Sequence, residues 1–150
     1  MTTWTCKKFE ELSTKELYCI LRLRSEVFVV EQNCVFLDMD NKDFYCHHLM
    51  GWEDDRLLGY SRILRSGISY AESSIGRIVT SPAARGRGIG RELLVQSINT
   101  LYALHGKQDI RIGAQYYLKK FYESFGFVQK GDIYLEDGIE HIEMLLPIES

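Results

Sequence analysis

The densest chemistry in the chain lies at Arg85-Gly86-Arg87-Gly88-Ile89-Gly90, three glycines and two arginines in six residues, with Arg91 adding another cation directly after. Glycines carry no Cβ, so consecutive backbone N–H groups can close on a ligand. A helix starting there adds partial positive charge and unsatisfied first-turn amides. Such a stretch is an anion cradle, and phosphate or pyrophosphate suits it best because arginine offers paired donors. Without an anion, cations at the positive end of a helix are mildly destabilising, by about a few tenths of a kcal/mol each. That local conflict is the sequence argument for a ligand; the alternative is a solvated helix start.

Two common nucleotide loops fail on the residues. A dinucleotide fold wants GxGxxG near its first strand, whereas Gly86, Gly88 and Gly90 give GxGxG in mid-chain. A Walker A loop ends in Gly-Lys-Ser/Thr, whereas Arg91-Glu92 follow Gly90. Asp38, Asp40 and Asp43 alternate as in a calcium loop, but Asp43 and Leu49 stand where an EF-hand needs glycine and glutamate. That segment reads as a solvated or substrate-facing loop, with a faint suggestion of a cationic acceptor such as a polyamine or a peptide N-terminus. Cys6, Cys19, Cys34 and Cys46 match neither a CxxC pair nor a zinc set and read as free thiols, so no metal is expected.

The elements that must position these residues follow from pattern. Thr3 to Phe9 is a first strand, and Ser13-Thr14-Lys15-Glu16 is a capping box that starts a helix. Leu17, Ile20, Leu21, Val27 and Phe28 share one helical stripe, yet Arg24 sits on it too and needs a partner or a wet edge. The β-branched run Val27 to Val30 predicts an end or a change of direction before Glu31-Gln32-Asn33. Leu49–Trp52 and Leu57–Leu64 form a hairpin around Glu53 to Arg56, and Ser74 to Thr80 is a strand leading into the cradle. Ile89, Leu93, Leu94, Ile98, Leu101 and Leu104 predict a helix from Gly88 to His105, stopped by Gly106. A strand over Asp109–Ala114, a helix over Leu118–Phe125 and two strands around Asp137-Gly138 complete the order. The fold class is α/β: one domain over residues 1–150, with helices packed on a mixed sheet.

Composition sets outer bounds. The chain has 150 residues, 45% apolar and 26% charged, and a formal net charge of −3, which argues against broad nucleic-acid binding. Its start lacks a signal-like run and no apolar stretch reaches membrane-spanning length, so a cytoplasmic protein without a membrane partner is expected. The sequence is silent on oligomeric state and leaves a homodimer open.

Pro82-x-x-Arg85-Gly86-x-Gly88-Ile89-Gly90 after an apolar strand resembles motif A of the GNAT N-acetyltransferases, and Phe121-Tyr122-Glu123-Ser124-Phe125-Gly126-Phe127 resembles their motif B. Within that superfamily, Leu23 to Cys34, His48 to Trp52, Gly113-Ala114-Gln115 and Tyr134 to Met144 are similar to the bacterial ElaA-type subgroup. The resemblance implies a mostly antiparallel, V-splayed sheet with helices on both faces and acetyl-CoA at the opening. The activity it implies is acetyl transfer to an amine. By the same resemblance the amides of Gly86 to Arg91, from a stretch beginning at Arg85, would bind pyrophosphate. The strand edge at Ile78, Val79 and Thr80 would pair with the pantetheine arm. Gln115 would lie near the cofactor, and Tyr122 would be the general acid.

The chemistry ranks these roles. With an amine pKa near 10.4, about one molecule in a thousand is neutral at pH 7, worth about 4 kcal/mol of barrier, so a base or water relay matters. Glu31, Asp38, His47, His48, His141 and Glu143 are eligible types; Glu31 and His141 lie in the subgroup segments, and strand alternation puts His141 and Glu143 on one face. On helical spacing alone, Leu118, Tyr122 and Phe125 form a stripe on which Tyr122 is core as readily as catalyst. Arg24 and Arg77 could bind an acceptor carboxylate or the cofactor, or serve as buried structural ion pairs. The function expected is acetyl transfer from acetyl-CoA to a primary amine; the alternative is a non-catalytic acyl-CoA-binding or sensing protein.

Overall fold

Short apolar runs separated by turn residues build the sheets. In the computed structural model, which describes residues 1–148, β1 (Thr3–Lys8), β2 (His47–Glu53), β3 (Arg56–Leu64) and β4 (Ser74–Thr80) form one antiparallel sheet in that order. The last two residues of the expected domain lie outside the described residues. β5 (Ile110–Gln115), β6 (Val128–Glu136) and β7 (Ile139–Leu146) form a second antiparallel sheet, ordered β5-β7-β6. The expected hairpins close on left-handed turn residues, Asp54 (φ 54°) in one and Asp137 (φ 51°) with Gly138 (φ 78°) in the other.

The mixed sheet expected from the element order is thus two antiparallel sheets joined at one parallel bridge, Ser73 to Ile110, where the Arg111 amide donates to the Ser73 carbonyl at 2.9 Å. Beyond it β4 and β5 part, and the sheets splay into a V.

The capping box forms: Ser13 Oγ accepts from the Glu16 amide at 3.0 Å, and the Glu16 carboxylate accepts from the Ser13 amide at 2.8 Å. It opens α1 (Thr14–Arg24). The change of direction expected near Val30 arrives as a widening rather than a stop, because the coil continues as a π-type helix over Ser25–Glu31. α2 (Ile89–His105) ends at Gly106 (φ 87°). The last helix is shorter than expected, a 3-10 turn at Tyr116–Leu118 followed by α3 (Lys119–Glu123).

Alternation along β3 sends Tyr60 towards α1, whose Ile20 and Leu23 share its cluster. Ile63 goes the other way to Leu94 and Leu101 of α2, as does Ser61, whose Oγ meets Ser97 Oγ at 2.7 Å. The α2 cluster also takes in Ile112, Phe127, Ile142 and Met144, so one core spans both sheets and holds the V at its angle. Each such leucine or isoleucine, fully buried, contributes about 1.5–3 kcal/mol.

Candidate active site

A cavity of about 840 Å³ occupies the splay between β4 and β5. The β4 wall is irregular. Register passes from Tyr60 opposite Val79 to Arg62 opposite Gly76, so Ser61 faces both Arg77 and Ile78. This is a β-bulge, and Arg77 adopts φ 49° within it. A non-glycine residue there costs on the order of 1–2 kcal/mol, so something must hold it.

Arg77 Nε donates to Asp38 Oδ1 at 2.8 Å and Nη2 to the Asp38 carbonyl at 2.9 Å. Asp38 also accepts from Arg24 Nε at 2.7 Å, Arg24 Nη1 donates to Asp43 at 2.8 Å, and Arg62 donates to Asp40 at 2.8 Å and to Asp43 at 3.1 Å. Three arginines and three aspartates therefore tie α1, the loop after it, β3 and the bulge together. Arg24 on the apolar stripe of α1 is 0% exposed, and its required partners are these carboxylates.

Of the two expectations for the loop, solvated or substrate-facing, its acids do not fit the first, while Phe36, Leu37, Asp40 and Lys42 line the cavity. Asp38 and Asp43 are buried and matched by cations, which removes the argument for a cationic acceptor there. Burial alone would raise the carboxyls of Asp40 and Asp43; the guanidinium hydrogen bonds of Arg62 and Arg24 overcome it and hold both below the ordinary range. His48 is buried beneath the loop. Its Nε2–H donates to the Asp43 carbonyl at 2.9 Å, its Nδ1 accepts from the Tyr60 hydroxyl at 2.6 Å, and burial pushes its pKa down.

At the open end of the V, Gly88 (φ 75°) is the N-cap of α2 and offers no side-chain cap; Gly86 (φ 81°) precedes it. A Cβ at either position would meet nothing within 4 Å, so open space lies before the first-turn amides. Ile89 is buried against Leu58 and Ala84 and can offer only its backbone.

The arginines are not left uncompensated, contrary to expectation. Arg85 grips Glu31 with two bonds of 2.7 and 2.6 Å, Arg87 pairs with Glu53, and Arg91 lies 4.6 Å over the Phe125 ring with Ser124 Oγ at 3.2 Å. Arg85 and Gly90 line the cavity, while Gly86, Arg87, Gly88, Ile89 and Arg91 stand outside its lining.

Of the other predicted residues, Ile78, Val79, Thr80, Gln115, Tyr122, Glu31 and His141 all line the cavity. The Tyr122 ring is buried edge-on against Phe121 and Phe127, and its hydroxyl has no hydrogen-bond partner among the described residues. Burial, with Tyr117 nearby, pushes that hydroxyl above the usual tyrosine value. Gln115 and Gln32 exchange amide hydrogen bonds of 3.2 Å across the cleft.

His141 donates from Nδ1 to the Ile139 carbonyl at 2.8 Å, which leaves Nε2 as the acceptor in the neutral ring; Glu136 lies 3.5 Å from that nitrogen. The pairing of His141 with Glu143 suggested by alternation does not occur, because Glu143 is engaged by Arg111 at 3.0 Å. Glu31 is likewise engaged, and the hydrogen bond from Arg85 holds its carboxyl below the ordinary range.

A splayed pair of parallel strand ends, a bulge on the inner strand and an uncapped glycine-led helix N-terminus at the mouth are now in place. Residues 24–147 match the family model described as an acetyltransferase (GNAT) domain. The chain belongs to the GNAT family. It is 40% identical to the protein ElaA of Escherichia coli over 146 residues, covering 96% of this chain and 95% of ElaA. Among solved structures, an acyl-CoA N-acyltransferase from Pseudomonas aeruginosa superposes with a TM-score of 0.92 at 41% identity, covering 97% of this chain and 99% of that one. Escherichia coli ElaA superposes with a TM-score of 0.90 at 39% identity over the same shares.

Membership in GNAT makes acyl transfer the reaction class and an acyl-CoA the donor class. Several residues around this GNAT cleft escaped the sequence reading. Gly76 inside a strand was the available signal for the bulge at Arg77. Tyr70 gave none, and Tyr134 only its place in the subgroup segment: their hydroxyls reach within 2.9 and 3.1 Å of where a Gly113 Cβ would stand, so a side chain there would have to push them aside.

Proposed function

We propose that the protein transfers an acetyl group from acetyl-CoA to a primary amine of a small molecule or peptide by direct attack in a ternary complex. The observation that carries this reading is one cavity reached by the open α2 N-terminus, the bulged edge of β4, the Tyr122 hydroxyl and His141.

Each residue then has a task. The amides from Gly86 to Arg91 take the pyrophosphate, with Arg85 at the rim. The β4 edge at Ile78, Val79 and Thr80 pairs with the amide-bearing pantetheine arm as a short strand would. Gln115, linked to Gln32, closes the cleft on the β5 side. His141 Nε2 accepts a proton from the acceptor ammonium, with Glu136 beside it to stabilise the charge. Glu31, held by Arg85, is the cradle's internal counter-ion rather than the base.

The new bond joins the amine nitrogen to the acyl carbon as the carbon–sulfur bond breaks; Tyr122 Oη donates its proton to the departing sulfur, and the second proton shed by the nitrogen as it becomes an amide returns to the Tyr122 oxygen. Burial makes Tyr122 a reluctant acid, and a thiolate whose thiol pKa is near 8.5 leaves without full protonation, so its donation assists without being indispensable.

Release of free CoA from acetyl-CoA in the presence of a panel of amines and peptides tests the reading. Turnover with an amine and a loss in Tyr122→Phe support it. Calorimetric binding of acetyl-CoA without turnover on any amine would favour the acyl-CoA-binding alternative, and no binding would remove both.

A further inference from the structure

We infer that the acceptor is an amino-carboxylate, its anionic group docked on the Lys42 ammonium and its amine presented to His141. This rests on the acetyl-transfer reading above and names its substrate class.

The cations lining the cavity are Lys42, Arg62, Arg77 and Arg85. Every arginine among them has a carboxylate: Asp40 and Asp43 for Arg62, Asp38 for Arg77, Glu31 for Arg85. Lys42 has none among the described residues; its half-buried ammonium donates to Ser69 Oγ at 2.9 Å.

The same corner holds a second unspent donor. Arg62 Nε is sealed from solvent without a hydrogen-bond partner, behind Gly76, where a Cβ would stand 3.4 Å away. Arg24, Arg62 and Arg77 are paired with Asp38, Asp40 and Asp43 in one network. Lys42 stands outside that network, and its partial burial raises what an anion gains by answering it.

Polar side chains line the cavity wall between this cation and the reacting end, Ser69, Tyr70, Tyr134, Glu136 and His141 among them. Ser69 is followed by Tyr70, whose hydroxyl meets that of Tyr134 over Gly113. The Tyr134 ring stacks on His141 at 5.8 Å, and His141 Nε2 faces Glu136 at 3.5 Å. The wall therefore carries a cation at one end and an imidazole with a carboxylate at the other. A zwitterion complements it end for end. A polyamine would set a positive charge against Lys42, and a simple amine would leave Lys42 unanswered.

The test uses the intact protein and matched pairs: α-amino acids, and ω-amino acids from β-alanine to 6-aminohexanoate, each with its decarboxylated amine. CoA release should favour the carboxylate-bearing member of at least one pair by tenfold or more in kcat/KM. Lys42→Met should raise KM for that member about tenfold, with at least a fivefold smaller effect on its amine partner, and Lys42→Arg should restore most of the loss. Equal use of both members, or an equal effect of Lys42→Met on both, overturns the inference while leaving acetyl transfer standing.

If no amine is turned over, acetyl transfer fails, and calorimetry with CoA-loaded protein decides the site separately. Binding of an amino acid that is lost in Lys42→Met supports the carboxylate site, and absence of binding overturns it.

Discussion

Tyr122 holds a proton that its surroundings make hard to release, because its ring is buried and its hydroxyl opens on the cleft. Tyr122→Phe should therefore lower kcat by about 10- to 100-fold, at or below the bottom of the usual range for a positioned acid because its donation only assists, and change KM for acetyl-CoA by less than about threefold. Initial rates of CoA release measure both. His141→Ala should lower kcat by about 100-fold, with partial recovery when imidazole is added, because the cavity would then admit the missing base. Glu31→Gln separates two occupations of one residue. As the counter-ion of Arg85 its loss would free that guanidinium for the proposed pyrophosphate contact, so acetyl-CoA binding should tighten a few-fold with kcat nearly kept. A fall of kcat like that of His141→Ala would instead make it the base. The place of Tyr122 on the cavity wall was legible because motif B fixes it locally, whereas the surroundings of Glu31 and His141 depend on Arg85 and Glu136, partners that come from other segments.

At the scale of elements, the bulge and the cradle are held by different means. The cradle is local: Gly86 and Gly88 take left-handed conformations that the sequence announces. Gly88→Val would force a β-branched residue to φ 75°, at a cost of about 1–2 kcal/mol, and crowd the first-turn amides. Its affinity for acetyl-CoA, measured calorimetrically, should fall at least tenfold. The bulge depends on residues far apart in sequence, since Asp38 joins Arg24 to Arg77. Asp38→Asn should destabilise the fold by about 3–5 kcal/mol, the usual penalty for breaking a buried pair, as read by urea unfolding. That network was illegible beforehand because three alternating aspartates look the same solvated or buried. The charge of Arg24 on an apolar stripe required a partner, and buried structural ion pairs were the alternative reading of both Arg24 and Arg77; which carboxylates would supply them was not legible.

Across the whole molecule, protons couple to folding through several histidines. Burial depresses the pKa values of His47, His48 and His105 in the folded chain, with Lys8 adding to the effect at His47 and His47 at His105. The unfolded chain therefore takes up these protons first. The stability they contribute is complete above the ordinary imidazole value, about 6.5, and is lost as pH falls below it. Asp40 and Asp43, also depressed, keep their contribution down to the ordinary carboxylate range, about 4, and lose it below. Urea midpoints should decline in two stages between pH 7.5 and 3. A flat profile from pH 7 to 5 would contradict the histidine stage. Strand and helix order were readable from hydrophobic period, but not the division into two sheets: that rests on one bridge at Ser73 and on a core under α2 that joins strands distant in sequence.

The parting of β4 from β5 has a further consequence for solubility. An unpaired strand edge is what lets one protein chain template another, and folded proteins usually blunt such edges with charge, proline or a covering element. Here the edge is kept but recessed between β5 and the cradle, with the kink at Arg77 breaking its run of evenly spaced donors and acceptors. A long, rigid strand from a neighbouring molecule finds no straight edge to copy. A thin chain with a few amides and no side chains, such as the proposed pantetheine arm, would still fit along it, so a shape suited to that guest is a poor template for a neighbouring strand.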